Sequence, residues 1–411
     1  MSRDESAIEQ TGATTRKYGV GMLVVLGFLF AMTALHINPI ESSMPGMASE
    51  LGGAANSTAN VASAFFFGMM IGHLVIGPIS DIIGRKKTIL VGLVLLMMGA
   101  AVCAAAESLF VLIVGRAIQG LGGAAALCTG RAIGGDAGAG RASAQTLSLM
   151  EIISATVAVF MPIIGNTIAQ AFGWRSVFFM MIVIDAVLAA AMMIFVQETS
   201  LTSGKEAWKS LLNDLNSCLA QPVFLMFALA FGFGIATFFC YTGASAFVFV
   251  NELKMSQTGY AILYSSLGIT MVLGGIAAKY FTKRFEPKNV FRITVGLQFV
   301  DAVVITVLFA THTASVVQMA VCFALIAGGN AIVLPVGLAL ALNESGRIKG
   351  SAAAFCGFAQ YCFSWLCTTV LSMVKTTGSI GMMTGLAMCV TACCAFLFCT
   401  GGDLLLRRRS G

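Results

Sequence analysis

The stretch Gly77-Pro78-Ile79-Ser80-Asp81-Ile82-Ile83-Gly84-Arg85-Lys86-Lys87 is a dense polar cluster set between two long apolar segments. A helix that crosses a bilayer needs about 20 apolar residues, and the segments on either side are long enough for that. A short basic turn with one carboxylate and two glycines, held between bilayer-length segments, reads as a gate loop of a polytopic membrane protein and not as part of a soluble domain. Composition agrees: 58% of the residues are hydrophobic and 10% charged, and a soluble globule of 411 residues could not hide so much apolar surface.

Hydrocarbon offers no hydrogen bonds to an open backbone, so the spans must be helices or a closed barrel. The apolar runs are long and do not alternate, which selects helices. The expected fold class is an all-α integral membrane protein of twelve transmembrane helices, with spans at 20–40, 58–79, 88–106, 110–133, 146–170, 176–197, 223–250, 258–280, 291–310, 314–341, 351–374 and 380–401. The longest polar connection divides the chain into an N-terminal six-helix bundle (1–198), a cytoplasmic linker (199–222) and a C-terminal six-helix bundle (223–411). A faint repeat matches this division: Gly77, Asp81, Arg85 and Lys86 recur as Gly275, Lys279, Lys283 and Arg284, an offset of 198 residues, with Lys279 in place of the aspartate and Thr282 in place of Gly84.

Charge sets the expected orientation. With the N-terminus in the cytoplasm, 20 of the 24 basic residues fall on cytoplasmic connections or termini, leaving Arg116 inside a span and Arg175, Lys254 and Lys375 outside. Both termini are therefore expected in the cytoplasm of a cell with this chain in its inner membrane. The same asymmetry accounts for the net charge of +6 without nucleic acid as a partner. Seven of the 12 cysteines crowd between Cys356 and Cys399, without metal-ligand spacing, and read as small buried thiols. No phosphate-binding glycine loop, His/Cys metal set or serine-nucleophile motif is present, so no enzyme, cofactor or metal is expected.

Two motifs carry a family resemblance. Gly77 to Lys87 resembles the signature loop between spans two and three of the major facilitator superfamily, and Leu112 to Ala124 resembles its span-four signature through Arg116, Gln119, Gly120 and Gly122. Narrower features are similar to the bicyclomycin and chloramphenicol resistance (Bcr/CflA) type of drug–proton antiporters: Glu41 with Pro45 four residues on, Arg131-Ala132-Ile133 followed by Asp136, and Gly350-Ser351-Ala352-Ala353 through Gln360. The span-five antiporter signature survives only as Pro162 and Gly165, with Ala158, Met161 and Asn166 at its other glycine positions. The resemblance implies two pseudo-symmetric bundles working by alternating access, with multidrug or small-molecule efflux in exchange for protons. Proton-coupled uptake of a nutrient or siderophore is the alternative, and a non-transporting membrane sensor a second one. Small molecules, protons and lipid are the implied partners, with a monomer as the implied assembly.

Residue roles follow. A carboxylate within a span is costly unless paired or protonated, so Glu41 is the expected proton carrier and Arg116 the fixed positive charge that modulates it. Solvation in the outer headgroup layer is the bland alternative for Glu41. Gly77, Asp81, Gly84, Arg85 and Lys86 are expected to form a conformational latch, which the family resemblance places against the start of span eleven near Ser351. The resemblance implies that Arg116, Gln119 and Gly120 face the cavity, and Pro162 and Gly165 are expected to bend span five, a merely tolerated kink being the alternative. Phe238, Tyr241, Tyr264, Asn330, Gln360 and Tyr361 are candidate substrate contacts. Asp185, Asp301, His36 and His73 read as hydrogen-bonding or packing residues.

Overall fold

A computed structural model of the chain describes residues 19–52, 58–135, 141–198, 216–345, 349–373 and 380–410. Most of the 199–222 linker, as well as Asp136, lies outside them. The helices are α1 (Val20–Phe30), α2 (Met32–Ile37), a 3₁₀ segment (Asn38–Ser43), α3 (Met44–Glu50), α4 (Thr58–Ile83), α5 (Arg85–Ala104), α6 (Leu109–Gly135), α7 (Arg141–Phe172), α8 (Arg175–Phe195), α9 (Pro222–Phe247, continued by the π turn Val248–Glu252), α10 (Gln257–Arg284), α11 (Pro287–Ala310), α12 (Val316–Asn343), α13 (Lys349–Met373) and α14 (Ile380–Ser410). Among the described residues, 11 helices are long and apolar enough to cross a membrane, and the first span makes a twelfth as a broken pair bent by 56°. Apolar side chains such as Phe110, Phe172 and Ile194 project from the outer surface, as a lipid-facing belt requires.

The first span, expected as one helix over 20–40, breaks twice. Its α-helical ladder loosens at Ala31, whose amide is shared between the Gly27 and Phe28 carbonyls. It then tightens into the 3₁₀ segment, where Pro39 takes an early position. In the i→i+3 pattern the carbonyl of His36 faces the nitrogen of Pro39, which has no hydrogen to give. That carbonyl is left for another donor.

The face that carries Gly84 is termed here the basic face, and the one that carries Trp174 the opposite face. In the N-terminal half, α6 packs on both α4 and α5, and α8 on α5; in the C-terminal half, α9 packs on α14, α13 and α12, and α11 on α14. Gly120 is small by necessity, because a Cβ there would run into the backbone of α4 at Phe65 and Gly68. Lys288 and Arg292 clamp Asp403 at 2.8 and 2.7 Å, joining α11 to α14. The halves meet along two seams, α4 against α13 and α7 against α10. Near the opposite face, Asn166 and Gln170 both donate to the Thr258 hydroxyl, at 3.3 and 3.0 Å.

The loop that decided the reading turns at Gly84, whose φ of +99° is a left-handed backbone that favours glycine. Just after it, the amides of Arg85 and Lys86 donate to Glu198, at 2.9 and 3.2 Å, so a carboxylate caps the start of α5. The repeat in the C-terminal half keeps no such turn. Thr282 stays helical, bonding back to Ala278, and α10 runs on through Lys283 and Arg284. Without a glycine at that point, the helix end moves a few residues downstream.

On the opposite face, α3 is tied to α8. Glu50 accepts from the Trp174 indole at 2.7 Å and from Arg175 at 2.6 Å. These hydrogen bonds, Arg175's first, hold the Glu50 carboxyl below its ordinary value. Its contribution to stability is therefore present above that ordinary value and lost as pH falls through the depressed one. Both side chains are more than a third exposed, so solvent screening keeps the effect small. Glu50→Gln should lower stability at neutral pH by about 0.5 kcal/mol, a difference that fades in acid and is read by thermal melts of the detergent-purified protein across pH. Gly120→Leu should separate α4 from α6 and abolish a monodisperse, folded population in size-exclusion chromatography.

Candidate functional site

Arg116, on α6, is fully buried. Its Nη1 donates at 2.8 Å to the His36 carbonyl that Pro39 leaves unpartnered, and at 2.8 Å to Oε1 of Gln119 one turn along α6. Nε donates to the Val61 carbonyl at 3.4 Å, and the guanidinium lies over the Phe65 ring, 4.7 Å from its centroid. A guanidinium is planar, permanently charged and rich in donors, so it can be buried where carbonyls and a ring face are arranged around it. Nη2 is buried without a partner among the described residues.

Glu41 sits in the 3₁₀ segment and is 1% exposed, which removes the solvated headgroup alternative. Arg116 is close enough to act on it electrostatically, as are the phenols of Tyr260 and Tyr264 on α10. Its Oε2 is buried with no hydrogen-bond partner among the described residues. A carboxyl in that position is costly as an anion with an open acceptor, and far cheaper with a proton on it. The 3₁₀ segment is also held in the seam between the halves: α10 packs on it, and α7 presses Gly165 against Pro39 so closely that any side chain at 165 would collide with the Pro39 backbone. Gly165 thus serves a close helix approach. Pro162 lies inside an unbroken α7.

His36 and Asp185 form a pair that the sequence left apart. Nε2 of His36 is 3.1 Å from Oδ2 of Asp185, with both side chains sealed. No spacing motif links residues 149 apart, so only the three-dimensional contact could reveal it. Pro39 was the overlooked local signal, since a proline two residues before Glu41 frees the carbonyl that holds Arg116.

The remaining candidates scatter. Tyr361 crosses the α4–α13 seam: its hydroxyl is 3.3 Å from that of Thr33, and its ring packs near Phe66, His73 and Phe239. Gln360, on α13, and Phe238, on α9, are buried. Tyr241 departs from expectation, because its hydroxyl donates to the Met319 carbonyl at 3.1 Å and its ring packs on Phe323, inside the C-terminal half. Tyr264 packs on the same Phe323. Asn330 is buried on α12, with Oδ1 unpartnered among the described residues. In the gate loop, Gly77 has open space where a side chain would be, Lys86 Nζ reaches the Met193 carbonyl at 3.0 Å, and the side chain of Asp81 lies outside the described set.

Comparison with known proteins agrees with this architecture. Residues 23–368 match the model of the Major Facilitator Superfamily. Among sequence relatives, the MFS-type transporter YdgK of Bacillus subtilis is 26% identical, over 92% of this chain and 94% of its own. A bicyclomycin resistance protein homolog of Haemophilus influenzae is 22% identical, over 94% and 97%. The multidrug resistance protein MdtL of Shewanella oneidensis is 23% identical, over 81% and 84%. Two solved structures share the fold: a D-xylose-proton symporter, with a TM-score of 0.67 at 15% identity over 92% of this chain and 96% of its own, and the human organic anion transporter MFSD10, with a TM-score of 0.62 at 14% identity over 93% and 99%. With twelve candidate spans in two bundles and a family match across most of its length, the chain is a multi-pass membrane transporter that belongs to the Major Facilitator Superfamily.

Proposed function

We propose that the protein exports small amphipathic drugs or metabolites in exchange for protons, by alternating access. The observation that carries this reading is Glu41: a sealed carboxyl with one oxygen unpartnered among the described residues, within electrostatic reach of a buried guanidinium, in a 3₁₀ segment packed against the opposite half. When the halves rock apart and water enters, the carboxylate becomes affordable and its proton can leave; when they close, it must be protonated or neutralised by a bound cation. Proton and cationic cargo then compete for one negative site, which is exchange by mutual exclusion. The names of the bicyclomycin resistance homolog and the multidrug resistance relatives support export of drugs in particular.

The same reading places the chain in the inner membrane as a monomer, with the basic face and both termini in the cytoplasm, following the asymmetry of its basic residues. The two halves, 1–198 and 223–411, joined by the 199–222 linker, act as the rocking units. Asp81, in the last turn of α4, acts as the latch at the basic face together with Gly77, Gly84, Arg85 and Lys86.

Glu41→Gln should cut proton-driven movement of ethidium in everted membrane vesicles by at least about tenfold, while the purified protein stays folded. Unchanged transport with an intact pH dependence would remove Glu41 from the mechanism, and accumulation in intact cells instead of everted vesicles would reverse the direction to uptake. Asp81→Asn should slow turnover several-fold with little change in apparent affinity, checked by initial rates over a range of ethidium concentrations.

A further inference from the structure

His36, on α2, and Asp185, on α8, are 1% and 0% exposed. Nδ1 of His36 is 3.1 Å from the Met32 carbonyl one turn back, and a carbonyl only accepts, so Nδ1 carries a hydrogen. Nε2 is 3.1 Å from Oδ2 of Asp185. With the Nδ1 hydrogen committed, this second contact requires another proton: either Nε2–H donates to a carboxylate, or a carboxylic acid donates to a bare Nε2. Without that proton two lone pairs would face each other in a sealed site, which is repulsive and leaves both groups unsatisfied. The pair therefore holds one proton more than a neutral imidazole and a carboxylate bring between them. It cannot release that proton while the contact stands.

Among the described residues, the charged and titratable neighbours are few. From α6 comes Arg116, from the 3₁₀ segment Glu41, and from α5 Cys103, whose sulfur is 3.9 Å from Gln119 Oε1. The α4 helix contributes the Phe65 ring stacked on the imidazole, while its own His73 packs on Tyr361. Glu151, on α7, acts with Arg131, Arg175 at the start of α8 is bound to Glu50, and α1 has no ionisable side chain. Arg116 is thus the fixed charge that Glu41 and the pair share. The two are also joined mechanically, because the backbone carbonyl of His36 is the one that holds Arg116 Nη1.

We propose that the His36–Asp185 pair is a second proton site of the transport cycle, coupled to Glu41 through Arg116. This rests on the proton-exchange reading above. The step is acid–base only: as α2 moves from α8, the shared proton passes to water, leaving a neutral imidazole with its Nδ1–H and a carboxylate, and the reverse occurs when the contact reforms. With Arg116 fixed at one positive charge, the cluster runs from net positive with both protons bound to net negative with both released. The net negative state is matched by one monovalent cation.

Two readouts test this on the full-length protein. The first needs no cargo: ¹⁵N-histidine NMR of the purified protein, with the His36 signals identified by exclusion from His73→Gln and His312→Gln variants. His36 should show a protonated Nδ1 and an Nε2 that shares a proton, retained in Glu41→Gln and displaced in Asp185→Asn. An Nε2 that neither bears a proton nor accepts one from Asp185 at any pH overturns the proposal. The second uses ethidium in proteoliposomes, driven by a pH gradient alone or by a membrane potential alone. Two protons against one monovalent cation move net charge, so both forces should drive the wild type. His36→Gln and Asp185→Asn, whose amides can bond without a titrating proton, should keep transport driven by the pH gradient and lose at least about tenfold of that driven by potential. If Glu41→Gln leaves both drives intact, the exchange reading itself fails. If Glu41→Gln abolishes transport while both pair variants keep wild-type drive by potential, the pair is a structural contact and the proposal falls.

Discussion

A permanent positive charge buried in the N-terminal half constrains everything around it. Arg116 cannot shed its charge, so the fold surrounds it with three acceptors and a ring face, and two of those acceptors are backbone carbonyls of other helices. One of them exists only because the first span abandons the α-helical ladder before Pro39. The break that weakens span one is thus what makes the burial of Arg116 tolerable. Because the same short 3₁₀ segment carries Glu41, the position of the guanidinium and that of the carboxyl are set by one piece of backbone.

This arrangement also explains why the N-terminal half can be both rigid and poised. The α4–α6 contact is close, with Gly120 against the Phe65 backbone, and gives α6 a firm bed from which Arg116 projects. The first span is the loose member, bent by 56° and held by polar contacts in place of a continuous ladder. Hydrogen bonds and charge can be rearranged more readily than a glycine-lined helix seam can be opened. Rocking of the halves is therefore expected to act first on α2 and the 3₁₀ segment, which lie between α7, α8 and α10.

Parts of this were readable in advance and parts were not. The Gly84 turn was legible, since a glycine between a helix end and three basic residues marks a chain reversal, and the structure adds only the Glu198 cap that closes it. Arg116 and Glu41 were legible as costly charges in apolar runs, and the resemblance supplied their pairing. The contact of His36 with Asp185 was not, because the two lie 149 residues apart and, although each reads alone as a hydrogen-bonding or packing residue, nothing in the sequence names its partner. Tyr241 misled in the other direction: aromatic character suggested a ligand wall, whereas its hydroxyl and ring are satisfied within the C-terminal half. Gly165 was read as part of a bend, and the structure makes it a point of close approach to Pro39.

Residue types in order along the chain were enough to settle the solvent, the number of spans, the charge asymmetry and the family, because each follows from local hydropathy, charge and short-range motifs. They also fixed which few side chains are expensive to bury. What they left open is which costly groups neutralise one another, because that depends on how distant helices rotate and slide as they pack. Three-dimensional packing brought Asp185 to His36, set the His36 carbonyl against Arg116, and closed α10 over Glu41. Partnership between buried charges is a property of helix faces brought into register, and no stretch of one helix encodes the face of another.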